Sequence, residues 1–304
     1  MSLWLDYRPQ TFESVVGNKG VVDSHQAIFK RESDFPHSVL YIGPSGCGKT
    51  TMARIYANML KCAERDVQEI NAANNRGIDT ARQIQSSMSF KPFAGPVKVF
   101  IIDEIHATSK DFQGAMLKAL EDAPSHVYFL MATTDPQNLL PTLRNRCATF
   151  EMALLNRNEI AQLITGVLTA EKVDDIPAEV VSEIAEVCEG CPRQALVILD
   201  QIIDLPIESM ISAIQDLRVT EKTVKDLCQA LLKKKSWGEV ASVLRTIDMT
   251  NSEGIRRNVL GYMIAVLLKG EDNPQAALVM EFFKEPTYNS GKAGLVWAAY
   301  NSVL

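Results

Sequence analysis

Short, nearly continuous apolar runs alternate with segments of helical periodicity in the first half of the chain. Val39–Ile42, Val97–Ile102 and Val127–Ala132 are almost wholly apolar, a pattern typical of strands that are buried on both faces of a parallel sheet. Shorter strands are predicted at Val67–Asn71 and Ala148–Met152, with helices between them. Strands that alternate with helices predict an α/β domain with a parallel sheet that ends near residue 153.

From residue 154 onward the pattern is helical. Asn156, with Glu159 three residues later, predicts a capped helix start, and two further helices follow to about Asp204. Another helical set runs from Thr220 to the end and carries no catalytic constellation, which favours a packing or assembly domain. The predicted domains are 1–153, 154–216 and 217–304.

A phosphate-binding loop joins the first of these strands to the helix that follows it. Its residues are Gly43, Pro44, Ser45, Gly46, Cys47, Gly48, Lys49 and Thr50, a complete G-x-x-x-x-G-K-[ST] motif, and Thr51 continues into the helix. The glycines let successive N–H groups turn toward phosphate oxygens, ahead of the positive end of the helix. Lys49 is expected to reach the β- and γ-phosphates, and Thr50 to offer its hydroxyl to Mg²⁺. The sequence therefore predicts a nucleotide-binding protein.

Polar side chains follow the two other apolar strands. Asp103 at the tip of its strand is placed to hold Mg²⁺, directly or through water, and Glu104 is the natural group to orient and polarise an attacking water. Thr133 and Thr134 end the next strand, where a hydroxyl can contact the γ-phosphate or that water. Together with the loop, these residues predict nucleotide hydrolysis.

Composition narrows the class of protein without naming a function. The chain has 304 residues, 46% of them apolar and 22% charged, and a formal net charge of −6. This charge argues against nucleic-acid binding by the whole surface, but it leaves room for a local basic face. The longest apolar run, Val259–Leu268, is too short to span a bilayer, and the amino terminus lacks the features of a signal peptide. We therefore expect a cytoplasmic protein without a membrane partner.

The cysteines do not predict a metal site. Of the six, Cys188 and Cys191 form a C-x-x-C pair, but neither a second pair nor a histidine pair completes a tetrahedral zinc site. We interpret them as small thiols in a reducing compartment.

The motifs and their order resemble those of the AAA+ clamp-loader ATPases over roughly residues 4–204. The matching stretches are Tyr7–Phe12 with Val16 and Gly17 (N-terminal signature), Asp103–His106 (acidic box) and Ala132–Gln137 (sensor 1 of bacterial gamma/tau subunits). Asn74–Asp79 looks more like the small subunits of replication factor C. The four-cysteine zinc module of the bacterial subunits is absent after Cys62, so the chain resembles a compact form between the two branches, and we expect its source to be a phage or small replicon.

The resemblance implies a role for each matching position. The adenine pocket would be lined by Tyr7, Arg8, Val16 and Gly17, and DNA phosphates would be contacted by Arg76, Gly77, Ile78 and Arg82. Thr134 and Arg193 would be the two sensors that contact the nucleotide or its attacking water. Arg146 would reach the γ-phosphate of a neighbouring subunit. Its motif is Asn-Arg-Cys here rather than Ser-Arg-Cys, and Arg144 nearby could share the role.

The implied fold is an α/β P-loop NTPase (AAA+) domain with a parallel sheet, followed by a small helical lid and an all-α collar. The implied function is that of an ATPase subunit, using ATP and Mg²⁺ and stimulated by clamp and DNA. It would open a sliding clamp and load it on primer-template DNA within an assembly, expected to be pentameric, in a bacterial or phage-infected cell. Two alternatives stay open: a non-hydrolysing scaffold subunit, and another AAA+ machine such as a branch-migration helicase or an initiator. Lys91–Gly95 and Lys110–Gln113 are candidate clamp contacts.

Overall fold

A computed structural model of the chain describes residues 2–31, 34–72, 75–173, 175–247, 249, 252–268, 272–287 and 290–304, with the backbone alone for 215–222. It divides into two compact units, Met1–Met210 and Ile211–Leu304. The predicted boundary between 153 and 154 lies inside the first unit. The predicted boundary between 216 and 217 lies inside one continuous helix, Ile207–Leu232, so no linker separates the residues on its two sides.

The first unit is built on a parallel sheet of five strands. The strands are β1 (Ser38–Ile42), β2 (Val67–Asn71), β3 (Lys98–Asp103), β4 (Val127–Thr133) and β5 (Ala148–Glu151), in the spatial order β2-β3-β4-β1-β5. All neighbouring pairs are parallel. The predicted α/β domain with a parallel sheet is therefore confirmed.

The helices of this unit follow the predicted alternation. They are α1 (Leu3–Asp6), α2 (Lys19–Phe29), α3 (Lys49–Met59), α4 (Ile78–Met88), α5 (Lys110–Glu121), α6 (Pro141–Arg144), α7 (Arg157–Glu171), α8 (Ala178–Val187) and α9 (Pro192–Ile202). At the start of α7, the Asn156 side chain accepts from the Glu159 N–H, and the Glu159 carboxylate accepts from the Asn156 N–H, at 3.0 and 2.8 Å. These reciprocal bonds satisfy two backbone donors at the helix end and confirm the predicted cap.

Both faces of the sheet are buried. Side chains of β1, β3 and β4 alternate between two apolar cores, so that Leu40, Phe100 and Phe129 lie in one and Tyr41, Ile101 and Leu130 in the other. The first core is completed by α4 and α5, and the second by α2 and α3. Burial on both faces explains why these strands are continuous apolar runs rather than alternating ones.

The sheet topology places three strand ends together. Because β3, β4 and β1 are adjacent and parallel, their carboxyl ends meet at one edge of the sheet, where the residues after each strand can converge. β3 ends at Asp103 because Glu104 adopts a left-handed conformation with φ of 53°, which turns the chain out of the sheet. This edge carries the candidate site.

The second unit is all helical. Its helices are the end of α10 (Ile207–Leu232), then α11 (Trp237–Thr246), α12 (Ser252–Leu267), α13 (Pro274–Phe283) and α14 (Gly291–Asn301). They enclose one apolar core that includes Leu227, Val259 and Phe283. None of the described helices in either unit is long and apolar enough to cross a membrane.

Candidate nucleotide site

The phosphate loop closely approaches the start of α9. Gly46 has a φ of +76°, and a Cβ at that position would lie 2.4 Å from the Cys191 sulfur, so only glycine fits there. Lys49 begins α3 and is only 5% exposed. Its ammonium donates to the carbonyls of Gly43 and Pro44, at 2.9 and 2.8 Å. The loop thus holds the lysine where its charge faces the space that a phosphate chain would occupy.

Thr50 and Asp103 form an oxygen-rich pair beside the loop. The Thr50 hydroxyl donates to Asp103 Oδ2 at 2.8 Å, and Asp103 Oδ1 accepts from the Glu104 N–H at 3.0 Å. A hydroxyl and a carboxylate are the hard donors that Mg²⁺ prefers, and Mg²⁺ commonly takes its remaining ligands from phosphates and water. The two side chains that the sequence assigned to Mg²⁺ therefore lie together and suit that ion.

Glu104 is held in a fixed position by neighbouring polar groups. Its Oε2 accepts from the Thr134 hydroxyl at 3.1 Å and lies 3.2 Å from Nδ1 of His106. The same His106 nitrogen is 3.1 Å from the hydroxyl of Thr133. The predicted water-activating carboxylate and the predicted sensor hydroxyl are thus direct neighbours. His106 was part of the acidic-box match, but the sequence analysis assigned it no role. Its position two residues after Glu104 was the feature of the sequence that could have indicated this contact.

A cavity of about 300 Å³ opens over the loop, at the lower end of the range for ligand sites. Its lining includes Tyr7, Arg8, Val16, Ser45, Gly46, Cys47, Gly48, Lys49, Thr50, Thr51, Asp103, Glu104 and Arg193. Most of the predicted nucleotide and metal residues therefore share one cavity. Gly17 instead packs against the residue two positions before α7: a Cβ there would lie 2.2 Å from the Leu155 Cδ2 atom.

Trp4 also lines this cavity, and the sequence analysis assigned it no role. The guanidinium carbons of Arg8 and Arg193 lie 5.5 and 5.3 Å from its ring centroid. Burial lowers the pKa of the Arg8 guanidinium, and the nearby positive charge of Arg54 acts in the same direction. Trp4 precedes the Tyr-Arg-Pro stretch by only three residues, a position that could have drawn attention to it.

Arg146 lies at the other edge of the sheet. It precedes β5, whose first residue Ala148 pairs with Val39 at the amino end of β1, whereas the phosphate loop follows the carboxyl end of β1. The Arg146 guanidinium donates to the Thr142 carbonyl at 3.0 Å and to the Glu121 carboxylate. Because the strands between the two edges span about 13 Å at ~3.3 Å per residue, Arg146 lies well away from the phosphate loop of its own chain.

The predicted DNA contacts cluster at the start of α4, away from the cavity lining. Arg76, Gly77 and Arg82 are exposed, and Arg82 pairs with Asp79 at 3.1 Å. An exposed pair of this kind adds little stability and can exchange its partner for a phosphate. Asn74 of the matching stretch lies outside the described residues.

The comparisons with known proteins agree with this arrangement. A family model described as DNA polymerase III, delta subunit, matches residues 64–156. The chain is 32% identical over 275 residues to DNA polymerase III subunit tau/gamma of Haemophilus influenzae, covering 83% of this chain and 38% of that protein. It is 31% identical over 277 residues to subunit tau of Bacillus subtilis, covering 83% and 48%. The chain belongs to the clamp-loader family of AAA+ proteins.

Clamp-loader relatives of this chain are longer than it is. The chain spans less than half the length of the Haemophilus and Bacillus proteins. Among solved structures, it is similar to the RuvB Holliday junction branch migration motor of Thermotoga maritima, with a TM-score of 0.62 and 22% identity over 74% of this chain and 79% of that one. A point mutant of that RuvB aligns over 96% of this chain with a TM-score of 0.59 and 20% identity. At such identity the likeness establishes the AAA+ fold alone.

Proposed function

We propose that this chain is an ATP-hydrolysing subunit of a clamp loader, which uses ATP to open a ring-shaped sliding clamp and place it on primer-template DNA. The observation that carries the proposal is the cavity in which Lys49, Thr50, Asp103 and Glu104 converge, in a chain related to tau and gamma subunits. Its partners would be the clamp, DNA and other loader subunits in the cytoplasm.

The residues of the cavity divide the chemistry among them. The loop N–H groups and Lys49 bind the phosphate chain, and Thr50 with Asp103 would hold Mg²⁺. When bound, the ion would neutralise charge on the β- and γ-phosphate oxygens. Glu104 accepts a hydrogen bond from the attacking water and turns its lone pair toward the γ-phosphate. The hydroxyl of Thr134, 3.1 Å from Glu104, keeps that carboxylate in position.

Two alternative functions predict different behaviour of the same site. A scaffold subunit would bind nucleotide without hydrolysing it, but Lys49, Thr50, Asp103 and Glu104 are all present and clustered, which favours hydrolysis. A branch-migration motor is favoured only by the likeness to RuvB, which concerns the fold. The hydrolysing clamp-loader subunit therefore remains the better supported function.

Steady-state ATP hydrolysis tests the proposal directly. The clamp and primed DNA of the same replicon are added to the assembled complex singly and together, and strong stimulation is expected only when both are present. Lys49→Ala in this subunit should collapse the stimulated rate, because the phosphates lose their main cation. Stimulation by branched DNA without the clamp would instead support another AAA+ machine, and an undiminished rate with Lys49→Ala would support a scaffold.

One of the two candidate clamp contacts is well exposed. Phe90 precedes the predicted stretch 91–95 and Phe93 lies within it; they are 66% and 79% exposed. The Asp66 carboxylate accepts from the N–H groups of Phe93, Ala94 and Gly95, at 2.5, 2.8 and 2.7 Å, so the loop is held in one conformation. In the other candidate, Lys110–Gln113, Phe112 and Gln113 are fully buried, and the exposed residues, Lys110 and Asp111, include no aromatic side chain. We therefore assign the clamp contact to the Phe90–Phe93 loop.

Phe93→Ala is expected to weaken clamp binding by the complex about tenfold or more, because an exposed aromatic anchor contributes roughly 1–2 kcal/mol or more at an interface. Clamp binding is measured by titration of labelled clamp with ATP present. Clamp-independent hydrolysis should be unchanged, since Phe93 is not part of the cavity lining. Lys91→Ala, in the same loop, is the matched control. Equal clamp affinity of the Phe93→Ala variant and the wild type would contradict the assignment.

A further inference from the structure

The amino-terminal segment of residues 2–8 is fastened to the helices that follow the sheet. The Ser2 hydroxyl and the Leu3 N–H donate to the two carboxylate oxygens of Asp200 in α9, at 3.3 and 3.4 Å. The Tyr7 hydroxyl donates to Glu171 at the end of α7, at 2.6 Å, and this bond raises the pKa of the tyrosine. The short helix α1 is thus held at both ends.

This attachment fixes where Trp4 lies relative to α9. Arg193, Leu196 and Asp200 are spaced by three and four residues, so they lie on one face of that helix. Asp200 accepts from the backbone of Leu3, and Arg193 contacts the ring of the next residue, Trp4. Leu196 lines the same cavity. The indole therefore lies at the end of the α9 face that points into the nucleotide cavity.

The Trp4 ring lies close to two positively charged side chains. Arg8 and Arg193 both approach the ring at cation–π distance, and both line the cavity. Two guanidinium groups repel each other, but each is attracted to the negative face of an indole, the strongest aromatic partner for a cation. A ring shared by two arginines that both line the cavity keeps both charges available to one anionic ligand, such as a phosphate chain.

We propose that Trp4 is a positioning residue for ATP hydrolysis, whose ring holds Arg193 and Arg8 aimed at the bound phosphates. Arg193 is the group that contacts nucleotide, and Trp4 acts through it. Because residues 2 and 3 bind α9, Trp4 also links the arginine to the amino-terminal segment, which lines the same cavity as the phosphate loop. The proposal rests on the nucleotide site of the proposed function and is independent of clamp and DNA.

The test compares three substitutions in α1 of the full chain in its assembled complex. Trp4→Leu keeps an apolar side chain but removes the π face, and it is expected to lower kcat roughly 5- to 30-fold, the loss of a desolvated cation–π contact. Trp4→Phe keeps a π face and should recover most of this loss. Leu5→Ala, at an exposed neighbour in the same helix, is the control and should leave kcat unchanged. Equal kcat for Trp4→Leu and Trp4→Phe would overturn the proposal.

A double-mutant cycle decides whether Trp4 acts through Arg193. If it does, Trp4→Leu lowers kcat less in an Arg193→Ala background than in the wild type, and has little effect once Arg8→Ala is added, whereas independent effects would multiply. Multiplying effects would overturn the proposal, because they would indicate a general structural role. A wild-type complex without nucleotide binding or hydrolysis would contradict the proposed function itself, and is recognised before any variant is compared.

Fluorescence gives a readout that does not depend on turnover. The chain has three tryptophans, Trp4, Trp237 and Trp297, and the last two belong to the helical unit. With Trp237→Phe and Trp297→Phe in place, Trp4 is the sole indole, and addition of ADP should change its emission because an anion then faces the two arginines on its ring. Unchanged emission at saturating ADP, with binding verified by calorimetry, would overturn the proposal.

Discussion

Arg146→Ala is expected to reduce ATP hydrolysis by the assembled complex on the order of 10³-fold or more, the contribution typical of an arginine finger. ATP binding by the variant subunit should be unchanged, because Arg146 lies at the opposite edge of the sheet from the phosphate loop. The rate is measured at saturating ATP with clamp and primed DNA present. ATP affinity is measured separately with a fluorescent analogue.

Mixed assemblies of two variants test whether Arg146 acts at the nucleotide site of a neighbouring subunit. A variant with Lys49→Ala keeps its finger but loses its own site, whereas an Arg146→Ala variant keeps its site but loses its finger. If the finger acts between subunits, assemblies that contain both variants should hydrolyse ATP faster than assemblies of either variant alone. A mixture as inactive as its components would contradict action on a neighbour.

Two nearby substitutions serve as controls for the finger. Glu121 accepts a hydrogen bond from Arg146, so Glu121→Ala releases the guanidinium without removing it and should not slow hydrolysis. The buried Nε of Arg144 has no hydrogen-bond partner among the described residues, and its role was left open by the sequence. A loss with Arg144→Ala as large as that with Arg146→Ala would show that the two arginines share the role.

Local patterns in the sequence were sufficient for most of the fold and for the centre of the site. The strands were predicted because burial on both faces requires continuous apolar runs, and the loop because phosphate binding restricts four positions of eight residues. Because β1, β3 and β4 are adjacent and parallel, the polar residues at their carboxyl ends lie at the same edge of the sheet. Asp103, Glu104 and Thr134 therefore converge as their positions at or just after the ends of β3 and β4 indicate.

Features that depend on distant pairs were not predicted. Trp4 and Arg193 meet because α1 packs against α9, and no local spacing relates two residues so far apart. The same holds for the contact of Tyr7 with Glu171. One helix was predicted to end near Asp204 and the next helical set to begin at Thr220, whereas a single helix, Ile207–Leu232, runs through most of that interval.

Glu104→Gln separates the binding of ATP from its hydrolysis. The amide has nearly the shape of the carboxylate but cannot accept a proton from the attacking water, so the rate should fall on the order of 10²- to 10⁴-fold. Lys49, Thr50 and Asp103 are untouched, and ATP affinity should stay close to that of the wild type. Single-turnover hydrolysis and equilibrium binding, measured on the same preparation, check both parts.

Thr134→Val is the matched control, since it removes the hydroxyl that holds Glu104 and keeps the side-chain volume. A smaller loss than with Glu104→Gln is expected, because the carboxylate still lies 3.2 Å from His106. The Glu104→Gln complex should also retain clamp and primed DNA far longer than the wild type, because release is coupled to hydrolysis in the proposed function. Normal release without hydrolysis would mean that this site binds ATP for assembly alone, and the scaffold function would then be favoured.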